Sequence, residues 1–198
     1  MAKHADHEKR RAAFAEAAFR ILARSGLTGL TVRDVAREAG FTTGALVHYF
    51  PSKSDLFLAA SEHAAIVVRP RMERDEVEHA GLEAVRHVIY DALPTTAQAR
   101  DLWSVWLVFW DRAKNDPVIG RLARVRYSEW HGRLARLFAR AQAAGEVDAS
   151  MDPELLAHTA TVLVDGIAVQ ALRTKARLSP ARQKALVDSW LTSLAKTP

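Results

Sequence analysis

Cysteine is absent from the 198-residue sequence, and glycine and proline are scarce, at nine and seven residues. The first absence excludes disulfides, thiolate metal sites and cysteine nucleophiles, and the scarcity excludes collagen-like and low-complexity chains. No run of about 18 consecutive apolar residues, the length that a membrane-spanning helix needs, is present. The N-terminus also lacks the apolar segment of a secretory signal. We therefore expect a cytoplasmic protein without membrane contact.

The composition is that of a globular chain with a modest positive charge. Hydrophobic residues make up 49% and charged residues 26% of the chain, and the formal net charge is +5. One or two domains fit this length, and the apolar content excludes disorder as the main state. The basic excess permits a nucleic-acid partner without requiring one.

Helical patterns account for almost the whole chain, since apolar and polar residues nowhere alternate long enough to indicate a sheet. Helix starts are marked by capping side chains, in three places followed by proline at the first helical position. These three pairs of capping residue and proline predict helices over roughly 117–144, 153–175 and 180–196. Pro70 is predicted to kink or end the helix that starts near Ser52. The predicted fold class is all-α, with about nine helices.

The most specific pattern in the chain lies in residues 31–50. Thr31 and Asp34 form a capping box for one short helix, Gly40 marks a tight turn, and Thr42 caps a second short helix. A turn this short makes the two helices cross at a steep angle. This is the helix-turn-helix arrangement, whose second helix enters the major groove of DNA.

The second helix of this pattern has a predicted inner and outer side. Leu46 and Phe50 are expected to face inward, which leaves threonine, histidine and tyrosine side chains facing outward. Hydroxyl and imidazole groups can donate to phosphate oxygens or reach base edges, and a lysine at the start of the next helix adds a cation. The candidate DNA-contacting residues are Thr31, Arg33, Thr42, Thr43, Gly44, His48, Tyr49 and Lys53.

Residues 7–58 resemble the DNA-binding domain of the TetR family of transcriptional repressors. The family pattern is met by Thr31, Val35, Ala36, Ala39, Gly40, Thr42, Gly44, Leu46, Tyr49, Phe50, Ser52, Lys53 and Leu56. Phe41 and Val47 depart from it, because the family usually has valine at the first position and often an aromatic residue at the second. The resemblance implies phosphate contacts from Thr31, Thr42, Tyr49 and Lys53, with Thr43 and His48 as the best candidates for base contact.

The second half of the chain resembles a narrower group. Residues 105–110, 116–122 and 163–167 are similar to the ligand domain of the choline-responsive betaine-pathway repressors. Many relatives with other ligands share this type of C-terminal domain. The resemblance therefore implies the type of domain and leaves its ligand open.

Tryptophan residues recur at helical spacing between residues 103 and 110. Such a stripe is usually core, but each indole N–H needs a partner, and aromatic faces beside a carboxylate suit an organic cation. The candidate effector-binding residues are Tyr90, Trp103, Trp106, Phe109, Trp110, Tyr127, Trp130 and Asp165. We expect a cationic effector if a carboxylate reaches the site and a neutral hydrophobic effector if none does.

The last two predicted helices are rich in apolar residues and poor in charge. They could pack internally, but proteins with a helix-turn-helix read operators as dimers, which favours a two-fold partner. The candidate interface residues are Leu155, Val162, Leu163, Gly166, Ile167, Leu186, Val187, Trp190 and Leu191.

The sequence thus predicts a homodimeric repressor that binds double-stranded operator DNA and is released by a small-molecule effector. Residues 1–50 would form the three-helix DNA-binding domain, and residues 51–198 the ligand-binding and dimerisation domain. No cofactor is expected, and the eight histidines show no metal-ligand spacing such as His-Glu-x-x-His, so no metal is expected either. Two alternatives stay open: a helical enzyme built on an aromatic cavity, although no acid–base pair or nucleophile is recognisable, and a helical adaptor with a fully packed interior.

Overall fold

The computed structural model describes residues 2–173 and 178–195. These residues form nine helices, which confirms the all-α prediction. They are α1 (Ala2–Gly29), α2 (Val32–Ala39), α3 (Thr43–Tyr49), α4 (Lys53–Glu78), α5 (Gly81–Ala92), α6 (Ala97–Ala113), α7 (Pro117–Ala143), α8 (Pro153–Arg173) and α9 (Pro180–Leu194). The predicted helix ends at residues 175 and 196 lie outside the described residues.

Local capping bonds explain where α2 and α4 begin. The Asp34 N–H donates to Thr31 Oγ1 over 3.1 Å. At α4 the exchange is reciprocal, because the Ser52 N–H donates to Asp55 Oδ2 over 3.0 Å and the Asp55 N–H donates to Ser52 Oγ over 3.1 Å. Each bond satisfies a backbone donor that a helix start leaves without an intrahelical partner. The predicted helix starts are therefore confirmed at both places.

Helix α4 does not end at Pro70, so the expected end is wrong, and the expected kink stays a prediction. The helix continues to Glu78. Proline has no backbone N–H, so Pro70 cannot donate the helical hydrogen bond to the carbonyl of Ile66. Both Ile66 and Pro70 are exposed, so solvent can hydrogen-bond to this carbonyl. The missing bond is thus tolerated at the surface.

The chain divides into two compact units. The first contains residues 1–67 and 101–120, and the second contains residues 68–100 and 121–198. The first unit thus includes parts of α4 and α6 that the sequence assigned to the larger domain. The functional boundary after residue 50 stays a prediction.

Aromatic contacts tie α6 to α4 inside the first unit. The rings of Phe57 and Phe109 stack with their centroids 6.2 Å apart, and both are fully buried. The guanidinium carbon of Arg112 lies 4.9 Å from the Phe57 ring centroid. A buried aromatic pair of this kind contributes about 0.5–1.5 kcal/mol beyond its burial of apolar area.

In the second unit, a residue distant in sequence caps α5. Ala80 provides no capping side chain, and the Leu82 N–H instead donates to Glu146 Oε2 over 2.7 Å. Gly81 has a φ of +56°, and a Cβ there would lie only 1.9 Å from Glu146 Oε1. Glycine suits this position, because the left-handed backbone strains other residues and a Cβ would also displace the Glu146 carboxylate from its capping bond.

Candidate functional site

Helices α2 and α3 form a helix-turn-helix. Gly40 adopts the left-handed conformation, with φ 76° and ψ 26°, and its N–H points to the carbonyls of Ala36 and Arg37. The Phe41 N–H then donates to the Ala36 carbonyl over 2.9 Å. This arrangement ends α2 with a glycine that tolerates positive φ, and it leaves only residues 40–42 before α3 begins.

The inner side of α3 is anchored as predicted. Leu46 and Phe50 are fully buried or nearly so. The Phe14 ring of α1 lies 6.4 Å from the Phe50 ring and 5.5 Å from the Tyr49 ring, measured between centroids. Thr42 Oγ1 accepts a hydrogen bond from the Ala45 N–H over 3.2 Å. The position of α3 is therefore fixed by packing on one side and by a cap at its start.

The outer side of α3 presents polar groups to solvent. Tyr49 is half-buried, because its ring rests against Phe14 and against His7, whose ring centroid lies 4.5 Å away. Val47 is 46% exposed between these polar groups. The other predicted DNA-contacting residues are all exposed: Thr31, Arg33, Thr42, Thr43, Gly44, His48 and Lys53.

Two carboxylates of α2 are engaged within this domain. The hydrogen bond that Thr31 Oγ1 donates over 2.6 Å lowers the pKa of Asp34, and Arg37 adds to the effect. The bond that Arg20 Nε donates over 3.0 Å is the main cause that lowers the pKa of Glu38. Paired carboxylates repel a phosphate backbone less than unpaired ones. The Thr31 hydroxyl already donates its proton to Asp34 Oδ2, so a phosphate contact that uses this proton would replace that bond while the cap from the Asp34 N–H stays in place.

Comparison with known proteins decides the family. Residues 15–60 match the profile of bacterial regulatory proteins of the tetR family, and residues 81–196 match that of the C-terminal domain of BetI-type transcriptional repressors. This chain belongs to the TetR family. It is a transcriptional regulator and not an enzyme. This assignment excludes both alternatives, the helical enzyme and the helical adaptor. The predicted resemblance of the second half to betaine-pathway repressors is also confirmed.

Three relatives illustrate the similarity. The PksA regulator of Bacillus subtilis (strain 168) is 27% identical over 98% of this chain and 94% of its own length. The BetI regulator of Burkholderia mallei (strain NCTC 10229) is 32% identical over 71% of this chain and 73% of its own. A transcriptional regulator from Saccharomonospora viridis, solved in complex with choline, has a TM-score of 0.85 at 26% identity and covers 96% of this chain and 100% of its own.

Four of the predicted effector-binding residues lie on α6 in the first unit. The rings of Trp103 and Trp110 meet edge to face at 5.6 Å, and those of Trp106 and Phe109 do so at 5.4 Å. Trp103 and Phe109 are buried, whereas Trp106 and Trp110 are half-buried. Trp106 and Trp110 are therefore the aromatic residues of this set whose rings are partly accessible to solvent.

The other four predicted effector-binding residues lie in the second unit, where Tyr90 is engaged with α9. Its hydroxyl donates to Asp188, and Lys184 Nζ lies 4.7 Å from its ring centroid. Burial and the Asp188 carboxylate raise the pKa of Tyr90 to about 12. Asp188 is 98 residues away in the sequence, so no local signal connects the two.

Tyr127, Trp130 and Asp165 lie where α7 meets α8. Burial raises the pKa of Asp165 to about 6, and burial together with the Asp165 charge raises the pKa of Tyr127. Among the described side chains, none with a positive charge forms an ion pair with Asp165. The structure thus places a half-buried carboxylate, without a cation of its own, near an aromatic ring.

Sequence reasoning missed two residues beside these three. Trp130 Nε1 donates to Thr161 Oγ1 over 3.1 Å, and His131 is buried beside Tyr127, with the two rings stacked at 6.3 Å. Thr161 precedes Asp165 by one helical turn, so the shared face of α8 was the available signal.

The predicted dimer residues of α8 and α9 divide into a buried and an exposed set. Ile167, Val187 and Leu191 are buried within the protomer, at 3%, 0% and 0% exposure, so their burial does not require a second chain. Leu163 and Trp190 are half-buried. The exposed members are Leu155 (64%), Val162 (68%), Leu186 (41%) and Gly166.

The exposed residues of α8 form a continuous surface. Leu155, Thr159, Val162 and Gly166 recur at helical spacing and are all exposed; we refer to them as the α8 stripe. By length and composition alone, α8 is also the one described helix apolar enough to cross a membrane. That is weak evidence for a membrane span, because the core helix of a soluble protein meets the same criterion.

Proposed function

We propose that this protein is a repressor that binds operator DNA as a homodimer through α3 and is released by an organic cation. The observation that carries the proposal is the exposed side of α3 in a TetR regulator. Thr43 and His48 project from a helix whose opposite side is anchored by Leu46 and Phe50. In a helix-turn-helix these side chains enter the major groove, where hydroxyl and imidazole groups can reach base edges.

Residues around α3 would position it on the DNA backbone. Lys53 at the start of α4 and Arg33 on α2 are exposed cations, and the Tyr49 hydroxyl is a further donor. Contacts of this type act on phosphates, so they raise affinity for all sequences alike. Thr43 and His48 would then supply the sequence preference.

The α8 stripe supports the homodimer. Exposed valine and leucine gain free energy when a second copy covers them, and a two-fold axis brings the same stripe from each protomer together. A dimer of this kind presents two copies of α3 to half-sites about 34 Å apart, or multiples of that spacing. TetR-family regulators are typically cytoplasmic, and we propose the same location for this chain.

Asp165 and Tyr127 support a cationic effector. A cation over an aromatic face gains about 0.5–2 kcal/mol, and a half-buried carboxylate without a partner adds charge neutralisation. The Saccharomonospora viridis relative was solved with choline, a quaternary ammonium compound. The effector would bind the state that does not fit the operator more tightly than the DNA-bound state, and so shift the population away from DNA.

Calorimetric titration with choline and with its uncharged isostere 3,3-dimethylbutan-1-ol tests the effector. We expect choline to bind and to weaken operator binding, and the isostere not to bind. The affinity for choline should fall at least about tenfold in Asp165→Asn, because a tenfold loss corresponds to only about 1.4 kcal/mol. Asp101→Asn, which changes an exposed aspartate on α6, is the matched control.

Two outcomes of this titration contradict the cationic effector. Equal binding of choline and the isostere would show that charge plays no part in recognition. Unchanged choline affinity in Asp165→Asn would remove that carboxylate from the site. Operator binding by the unliganded protein is measured separately, so the DNA-binding proposal stands or falls independently of the ligand.

A further inference from the structure

Three potential metal ligands meet near the end of α4. Asp75, Glu78 and His79 each bring one ligand atom to within 4.8 Å of the others. Their spacing of three and four residues places them on one face of the helix. Asp75 is 6% exposed, His79 is half-buried and Glu78 is exposed, so the group extends from the interior to the surface.

Helix α5 brings a second imidazole to the same place. The rings of His79 and His87 stack with centroids 3.7 Å apart and planes inclined by 18°. Glu83 lies one turn before His87, with its Oε2 3.9 Å from His87 Nε2. The end of α4 with the residue after it, and the first turns of α5, therefore each present a carboxylate and, four residues later, a histidine. Facing helices build metal sites in helical bundles from side chains placed in this way.

Two carboxyl groups meet at the buried end of this group. Asp91 Oδ2 is buried and has no hydrogen-bond partner among the described residues. Asp75 interacts with the Asp91 carboxyl, so the two acidic groups are neighbours. Such a pair is stabilised by a proton or by a nearby cation.

The arginines of α4 provide only a partial counter-charge. Arg74 Nη2 lies 3.5 Å from Asp75 Oδ1, and Arg74 Nε lies 3.7 Å from Glu78 Oε2. Both distances exceed those of a charge-assisted hydrogen bond, which are about 2.7–2.9 Å. Arg71 also acts on Asp91 and, like Arg74, is exposed. A divalent ion among the carboxylates would neutralise them at closer range.

We propose that Asp75, Glu78, His79 and His87 bind one Zn²⁺ ion, which joins the end of α4 to α5. Two imidazole nitrogens and two carboxylate oxygens form a four-ligand set that suits a tetrahedral zinc ion, with ligand distances of about 2.0–2.2 Å. His87 would become the fourth ligand when its ring turns out of the stack with His79. The pattern escapes a search for His-Glu-x-x-His because the two histidines are eight residues apart, one just after α4 and the other on α5.

The test uses full-length protein without a histidine tag, stripped with EDTA and titrated with zinc chloride in a calorimeter. We expect saturation at one zinc per chain. His79→Asn and His87→Asn should each weaken zinc binding by at least about tenfold, because even residues that only hydrogen-bond to metal ligands commonly change metal affinity 10–100-fold. Zinc should also raise the melting temperature of the wild type but not of His79→Asn.

His158→Gln is the matched control, because His158 belongs to the other histidine pair of this unit, where its Nδ1 lies 2.7 Å from His131 Nε2. This variant should bind zinc like the wild type. Far-UV circular dichroism checks that the variants fold, and both substituted ligand histidines are partly exposed. Absence of saturable binding, or binding that is lost in His158→Gln but kept in His79→Asn, would overturn the proposal.

Discussion

Replacing Val162 with glutamate places a carboxylate on the α8 stripe without disturbing the protomer's core. Val162 is 68% exposed, so the fold of a single protomer should lose little. Full burial of a valine side chain contributes at least about 1.5 kcal/mol, so the exposed two thirds correspond to about 1 kcal/mol per protomer. A carboxylate left unpaired in an apolar interface costs several kcal/mol more. With two copies, the dimer should weaken by at least about 5 kcal/mol, more than a thousandfold in Kd.

Light scattering coupled to gel filtration measures this change, together with operator binding by gel shift. The wild type should have twice the chain mass of 21.9 kDa, and Val162→Glu should run as a monomer that no longer binds the operator. Val118→Glu is the matched control, since Val118 is 52% exposed and lies in the first unit. Leu191→Glu is less informative, because Leu191 is fully buried and a carboxylate there would unfold the protomer. A dimeric Val162→Glu with normal operator affinity would refute the assignment of the α8 stripe.

Three further predictions concern the DNA-binding domain and the carboxylate of α8. Lys53→Ala should weaken binding to all DNA sequences alike and reduce the slope of log affinity against log salt by about one; an unchanged slope would remove Lys53 from the phosphate contacts. Thr31→Val removes the oxygen that accepts the Asp34 N–H, so calorimetry should show a loss of about 1 kcal/mol, or about 2–4 °C in melting temperature. The exposed Thr192→Val should be near neutral, and an equal loss in both variants would contradict the capping role. Burial raises the pKa of Asp165 from 3.8 to about 6, so the folded state holds this proton more tightly than the unfolded chain. The protonated Asp165 therefore stabilises the folded state fully below about pH 4, and this contribution is lost as the pH rises through about 6. Asp165→Asn should therefore melt above the wild type at neutral pH and equal to it near pH 4, and melting curves that stay parallel across this range would contradict the shift.

Features that depend on neighbours in sequence were predictable. The caps at Thr31, Thr42 and Ser52 use side chains within three residues of the backbone groups they satisfy, so the sequence pattern and the structure agree. The turn at Gly40 follows the same logic, because its positive φ selects glycine. The continuation of α4 past Pro70 was not predictable, because the effect of a helix-interior proline depends on exposure, which the local pattern does not contain.

Features that depend on distant residues were not predictable. Tyr90 pairs with Asp188 across α5 and α9, and nothing in the pattern around either residue indicates this. His79 and His87 stack because α4 and α5 meet there, so neither helix reveals the pair by itself. The apolar residues of α8 and α9 illustrate the same limit, since periodicity marked Val162 and Leu191 alike while packing buries only the second.

The central claim is that α3 reads operator DNA. The most direct test incubates the purified protein with fragmented genomic DNA of its source organism and sequences the fragments it retains. The wild type is predicted to enrich fragments that share an inverted repeat, with half-sites about 34 Å apart or at a multiple of that spacing. The double variant Thr43→Ala, His48→Ala should retain DNA without a shared sequence, because its phosphate contacts remain. No shared sequence with the wild type, or the same repeat with the double variant, would contradict the account.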